Sequence, residues 1–250
     1  MKIKFHHIIL ALLLATTGCK KDNYDAPSLK LTGRLVYKGE AIGVEYNQVP
    51  YELYQPGFGK VGPISQTFAQ DGSYSSLLFK GNYKFTIPPN QGPFQWKELA
   101  SGKRDTVAVA LTGNQTMDVE VTPFYMIRDA KLTAASSKVT ANFNIEKVIT
   151  DASAKNIERV TLYINKTQFV SGSDNIASTD LAGTAIVSLN NITMNVNIPG
   201  ITPTQNYVFA RVGIKIADVE DMIFSPLVKL PSSKDFSMVL LQQQNSRRKS

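Results

Sequence analysis

Few side chains able to do covalent or metal chemistry occur in this chain, and those few are poorly placed for it. There are two histidines, His6 and His7, and one cysteine, Cys19. All three fall where a basic start (Lys2, Lys4), an apolar run from Ile8 to Leu14 and the small residues Thr16, Thr17 and Gly18 make up the three parts of an export signal. The apolar run is far shorter than the roughly 20 residues a helix needs to cross a hydrocarbon core. Cleavage before Cys19 would remove both imidazoles and leave the thiol at the new terminus. Ser-His-Asp and Cys-His catalysis would then lack their proton carrier, and zinc would lack its usual ligands.

Carboxylates survive that count, and two suitably spaced acids are enough for a glycosidase. Glu45, Glu52, Glu98, Asp105, Asp129, Glu146 and Asp174 are scattered singly. Asp118 and Glu120 alternate with Val119 and Val121, as solvent-facing residues of a half-buried strand do. Asp218, Glu220 and Asp221 read as a charged hairpin tip with a solvated surface. Gly57 to Gly62 formally satisfies G-x-G-x-x-G, but Pro63 and an extended run follow it instead of the phosphate-binding helix. Ser173, Asp174, Asn175 and Asp180 lack the spacing and central glycine of a calcium loop and read as a polar turn. The expectation is a chain with no catalytic residues, no metal site and no cofactor.

Cys19 follows "LLLATTG" and precedes "KKDNYDAP". This arrangement resembles the lipobox of bacterial lipoproteins, with Thr16 where leucine is usual. The resemblance implies cleavage before Cys19 and acylation of its sulfur. Each buried methylene adds about 0.8 kcal/mol of membrane affinity, so the mature protein would stay membrane-bound. The nominal charge of +7 includes Lys2 and Lys4 of the signal and Arg247, Arg248 and Lys249 of the terminal tail. The body between them is close to neutral and carries no nucleic-acid-binding signature, so no nucleic-acid partner is expected.

Beyond the anchor the sequence alternates with period two between Gly, Asn, Asp and Pro turns. Leu29, Leu31, Leu35 and Tyr37 share one face. Strands are expected at Val49 to Tyr54, Ile64 to Phe68, Tyr74 to Phe79, Tyr83 to Ile87, Val107 to Leu111 and Met117 to Val121. A second series contains Val139, Ala141, Phe143 and Ile145, then Val160 to Ile164, Met194 to Ile198, Val208 to Ile216 and Ile223 to Leu230. Tyr207 resembles the tyrosine corner of immunoglobulin-like sandwiches, which implies a hydroxyl tied to nearby backbone.

The stretches "LTGRLVYKGEAIGVE" and "QDGSYSSLLFKGNYKFTIPP" resemble carboxypeptidase regulatory-like, or transthyretin-like, sandwich domains. With "CKKDNYDAP", "YELYQPGFGK", "QGPFQW" and "VEVTPFYMI", the chain is similar to uncharacterised Bacteroidetes outer-membrane lipoproteins encoded beside SusC/SusD-like nutrient importers. The expected fold is all-β, with two tandem β-sandwich domains, the first carboxypeptidase regulatory-like and the second immunoglobulin/fibronectin type III-like. Expected boundaries are 1–18 for the signal, 19–27 for a lipidated tether, 28–123 and 124–231 for the domains, and 232–250 for a tail.

The segment from Pro88 to Trp96 is too rich in Pro and Gly for a central strand, and such connections run over the surface and carry function. Trp96, Phe94 and Phe58, with Tyr54 as a neighbour, are candidates for stacking on sugar rings. The competing reading makes Trp96 a lid on the first sandwich, burying about 150–250 Å². A second candidate is the domain junction around Pro123, Phe124 and Tyr125, with plain interdomain packing as its alternative. The expected function is a non-enzymatic binding or scaffold component of polysaccharide uptake, anchored by lipid in the outer membrane, at its periplasmic face or the cell surface. Expected partners are the membrane, a glycan and importer components. A carboxylate-dependent glycan hydrolase or a purely structural envelope protein is the alternative.

Overall fold

The computed structural model describes residues 25–57, 62–99, 101 and 104–232. Cys19, Phe58 and the tail from residue 233 onward lie outside the described residues. Two all-β units follow one another along the chain. The first contains β1 (Leu29–Tyr37), β2 (Glu40–Ala41), β3 (Pro50–Tyr54), β4 (Pro63–Thr67), β5 (Ser73–Leu78), β6 (Gly81–Thr86), β7 (Phe94–Gln95), β8 (Val107–Leu111), β9 (Gln115–Thr116), β10 (Val119–Glu120) and β11 (Thr122–Pro123).

In one of its sheets β1 is central, antiparallel to β5 and β2 and parallel to β9 and β10. The second sheet runs β4-β3-β6-β8. Leu31, Leu35, Tyr51, Leu53, Tyr74, Phe85 and Leu111 are buried in the core between them. Asp118 and Glu120 stay exposed, as alternation requires. Their carboxylates also accept the backbone N–H groups of Arg34 and Lys38.

Aromatic rings dominate this core. Tyr51 lies 4.9 Å from Phe68, 5.1 Å from Tyr74 and 5.3 Å from Phe85, measured between centroids. Tyrosine brings a polar tip that must be paired when buried. The Tyr51 hydroxyl meets Gln66 at 2.6 Å and Ser76 at 2.8 Å, which also explains a fully buried serine. Tyr74 donates to Met117 O at 2.7 Å. β3 and β4 are antiparallel neighbours, with Gly57 and Gly62 falling between them in the chain and residues 58–61 outside the described residues.

The second unit contains β12 (Tyr125–Ala135), β13 (Lys138–Lys147), β14 (Ile157–Asn165), β15 (Ala177–Ala182), β16 (Ile192–Asn197), β17 (Tyr207–Ile216), β18 (Ile223–Phe224) and β19 (Val228–Pro231). Its sheets are β12-β13-β16 and β15-β14-β17-β18, with β19 also on β17. The inward rows Val139, Ala141, Phe143, Ile145 and Val208, Ala210, Val212, Ile214, Ile216 are buried, as their period requires.

The polar turn expected around Ser173 is present, closed by Ser171 N–H to Asp174 O, but Asp180 lies outside it on β15, accepting the Thr161 hydroxyl at 2.6 Å. Tyr207 makes no tyrosine corner: its ring packs edge-on against Phe209 under the Lys229 ammonium, 3.8 Å away. β15 is a strand with no counterpart among the expected ones.

No free linker separates the units. Thr122 and Pro123 of β11 pair with Gln95 and Phe94 of β7, and β12 begins at Tyr125. Gly43 bridges to Phe224, with Phe224 N donating to Gly43 O at 2.9 Å. Arg128 joins Glu146 of its own unit and Glu40 of the first. Most buried apolar side chains form one core cluster running through both units, and Tyr163, Val170, Met222 and Phe224 form a second, smaller one.

Candidate functional site

A cleft of about 590 Å³ opens at the junction. The loop from Asn90 to Glu98 supplies one wall, together with Arg104. The tip between β17 and β18, Asp218 to Glu220, and Lys155 supply the other, while Phe124 lies where the chain passes between units. Two stretches that are far apart in sequence thus form one site.

The first wall is built on Trp96. Its ring is 5% exposed and packs toward Phe85, and its indole N–H donates to Asp105 O at 3.1 Å. Thr86 binds the same carbonyl at 2.9 Å, closing the excursion over the first sandwich. Trp96 is therefore a lid whose edge reaches the cleft. A solvent-facing sugar platform would need an exposed ring face, and Trp96 does not offer one. Phe94 is likewise buried and held in β7 by its pairing with Pro123. Tyr54 lies on β3 with its hydroxyl donating to Glu52 at 2.8 Å, and it is not part of this cleft. The structure brings Trp96 and Phe94 together, leaves Tyr54 elsewhere and does not describe Phe58.

The turn before Phe94 is fixed by a contact from the other unit. Gly92 has φ +83°, in the left-handed region, and a Cβ there would fall 2.2 Å from the Phe94 ring. Its N–H donates to Asp221 Oδ2 at 2.6 Å. Asp221 is only 6% exposed, unlike the exposed Asp218 and Glu220 beside it. This corrects the reading of the whole tip as solvated surface. Burial pushes the Asp221 carboxyl above its ordinary range, and the Gly92 N–H pulls it partly back.

The second wall is held by its own bonds. Tyr125 donates to Lys155 O at 2.7 Å, Lys155 reaches Asp218 O at 3.4 Å and Lys215 donates to Glu220 O at 2.6 Å.

Three carboxylates, Glu98, Asp218 and Glu220, reach the cleft. Glu98 faces Arg104 at 3.6 Å, and its side chain is 55% exposed. Asn90, Gln91 and Gln95 add carboxamides to a lining that also includes the largely buried Phe94, Trp96 and Phe124. Carboxamides donate and accept at once, and apolar surface with a few placed polar groups is the usual makeup of a small-ligand site. The cleft is chemically suited to hydroxyl-rich molecules. Among the described residues, no three of His, Cys, Asp and Glu converge in a way that could hold a metal ion.

Fold and cleft define a two-unit all-β protein with an interdomain site. Residues 29–122 match the model of the DUF3823 N-terminal domain, a family described as being of unknown function, and residues 125–229 match the DUF3823 C-terminal domain, also of unknown function. The chain belongs to the DUF3823 family. A DUF3823 protein of Parabacteroides merdae is 33% identical, with TM-score 0.71, over 82% of this chain and 100% of its own. One from Bacteroides ovatus is 31% identical, with TM-score 0.71, over 83% and 100%. A Bacteroides uniformis protein called a "putative carbohydrate binding protein" shares the fold at 15% identity and TM-score 0.65, over 82% and 100%. No curated protein matches the chain.

Proposed function

We propose that this chain is a lipid-anchored outer-membrane protein that binds glycan without cleaving it, as a component of a polysaccharide-uptake system. The carrying observation is the junction cleft, which the carboxamides of Asn90, Gln91 and Gln95 line together with the largely buried Phe94, Trp96 and Phe124. Its volume of about 590 Å³ lies within the roughly 300–1,000 Å³ of small-ligand pockets. The name of the Bacteroides uniformis relative in fold points the same way. Anchorage rests on the lipobox-like sequence at Cys19, and the link to SusC/SusD-like importers rests on the resemblance described above.

The three carboxylates favour a second reading, glycan hydrolysis. A glycosidase keeps one carboxylic acid protonated in an apolar pocket. Glu98, Asp218 and Glu220 are all exposed, a setting that suits contact with sugar hydroxyls. Binding is therefore the better account.

Calorimetry or affinity electrophoresis of the purified protein against a polysaccharide panel tests the proposal. Gln91→Ala with Gln95→Ala should weaken glycan binding about fivefold or more, since each lost carboxamide hydrogen bond is worth about 0.5–1.5 kcal/mol. Unchanged affinity in that variant removes the cleft as the site. Absence of binding to any glycan leaves the scaffold role, and release of reducing ends makes the protein a hydrolase.

A further inference from the structure

We infer that Arg211 locks the two units into one rigid body, so that the junction cleft is already formed before any ligand arrives. The statement about the cleft rests on the binding proposal above; the lock itself does not.

Arg211 lies on β17 and is 1% exposed, although alternation places it on the outer face of its sheet, opposite the inward row of Val208 to Ile216. Its guanidinium is covered from the other unit. Nε donates to Val170 O within its own unit, and Nη1 donates to Val44 O of the first unit at 3.0 Å. The Phe224 ring lies 3.7 Å from Cζ, a cation–π contact. No carboxylate stands within ion-pair distance of it among the described residues. Glu45, whose charge favours the cation, has its carboxylate bound by Ser173 at 3.3 Å across the junction.

The guanidinium has little hydrogen bonding to spare. Nε and Nη1 are bonded, while Nη2 is buried with no hydrogen-bond partner among the described residues, and a buried cation grows costlier with each bond it lacks. Here one of the two carbonyls comes from the other unit. If the units slid or parted, the guanidinium would lose Val44 O while remaining between Val170 and Phe224, or would have to leave that pocket for water. A planar fork spanning two carbonyls and lying on a ring is a geometry that lysine cannot copy. Next to it, a Cβ on Gly43 would fall 2.7 Å from Phe224 O, so the close backbone approach depends on glycine.

The same hairpin carries the second fastening. β17 and β18 hold Arg211 and Phe224, and the tip between them holds Asp221, which takes the Gly92 N–H. One hairpin of the second unit is thus fixed to the first at Val44, at Gly43 and at Gly92. Asp218 to Glu220, the second cleft wall, lie on that hairpin between fixed points. Holding a site in its bound geometry lowers the ordering cost of binding.

Two measurements without ligand test the lock. Leu77 and Val187 are exposed residues of the first and second units. Spin labels at Leu77→Cys and Val187→Cys, with Cys19 replaced by serine, should give one narrow distance distribution, unchanged when polysaccharide is added. Calorimetry of the purified protein should show one unfolding transition whose calorimetric and van't Hoff enthalpies agree. Arg211→Met should broaden the distances or split the transition, and Arg211→Lys should do so to a smaller extent.

Should Arg211→Met fail to fold, Asp221→Ala provides the loosened comparison. A broad distribution or two transitions in the unmutated protein overturns the lock, as does an Arg211→Met protein that matches the unmutated one in both measurements. A narrow distribution in a protein that binds no glycan would leave the lock standing and remove the binding proposal alone.

Discussion

The two units solve the same packing problem with different residues. The first fills its interior with Tyr51, Phe68, Tyr74 and Phe85, ring against ring, and ties the hydroxyls to Gln66, Ser76 and Met117 O. The second fills its interior with Val160, Leu162, Ile164, Val208, Ala210, Val212, Ile214 and Ile216. Phe143 adds a ring to that interior from β13, whereas Tyr163, Phe209 and Phe224 lie on the outer side of the larger sheet, in and around a separate small cluster. Aliphatic rows suit the long strands β14 and β17. The loop from Asn90 to Glu98 of the first unit supplies one wall of the cleft, and the aliphatic second unit supplies the other through its β17–β18 tip.

The contrast can be broken most severely at a ring. Phe85→Ala should cost about 3–5 kcal/mol, against about 2–5 kcal/mol for Leu162→Ala, read as the shift in urea midpoint at constant slope. With the units locked, both variants should unfold in one transition.

Hydroxyls sharpen it further. Tyr74→Phe leaves Met117 O without its partner and should cost about 1–3 kcal/mol. Tyr163→Phe should change stability by less than about 0.5 kcal/mol, because its hydroxyl faces only the Met222 sulfur at 3.9 Å. Chemical denaturation of the pair measures the difference.

Alkali should act through more phenols in the first unit than in the second, where burial raises Tyr125. Burial raises the phenols of Tyr51, Tyr74 and Tyr83 above the usual 10.0. Their contribution is complete below that pH and is lost as pH climbs through the raised values. Stability followed by circular dichroism should fall in alkali, and phenolate absorbance should appear late and together with unfolding.

The smallest effect is expected at Asp221. Its raised carboxyl favours the folded state below the ordinary 3.8 and loses that contribution as pH rises through the folded value. Asp221→Asn keeps an acceptor for Gly92 N–H, so the slope of stability with pH just above 3.8 should flatten while the fold persists.

Legibility in the sequence follows the same division. Val139 to Ile145 and Val208 to Ile216 were readable because apolar residues at every second position mark one buried face of a strand. β15 was missed because Ala177–Ala182 has no buried row; its residues are half-buried or exposed. β7 was missed because two residues inside a Pro- and Gly-rich run carry no period.

The Trp96 loop was visible as unusual, and its role as a lid was one of two readings that composition alone could not separate. The cleft's far wall was hidden. Asp218, Glu220 and Asp221 look alike in the sequence, and only the fold places Gly92 against the third of them. Arg211 was hidden more completely, since its position in the strand assigns it to the outer face and nothing nearby in the chain says that Val44 covers it.

The central place of β1 has a mechanical consequence. If the chain is tethered at Cys19, tension enters the fold at Leu29 and runs along β1. That strand is bonded to β5 on one edge and to β9 and β10 on the other. Load along it shears many hydrogen bonds together instead of opening them one by one, so a pull from the membrane meets the first sheet in its strongest direction.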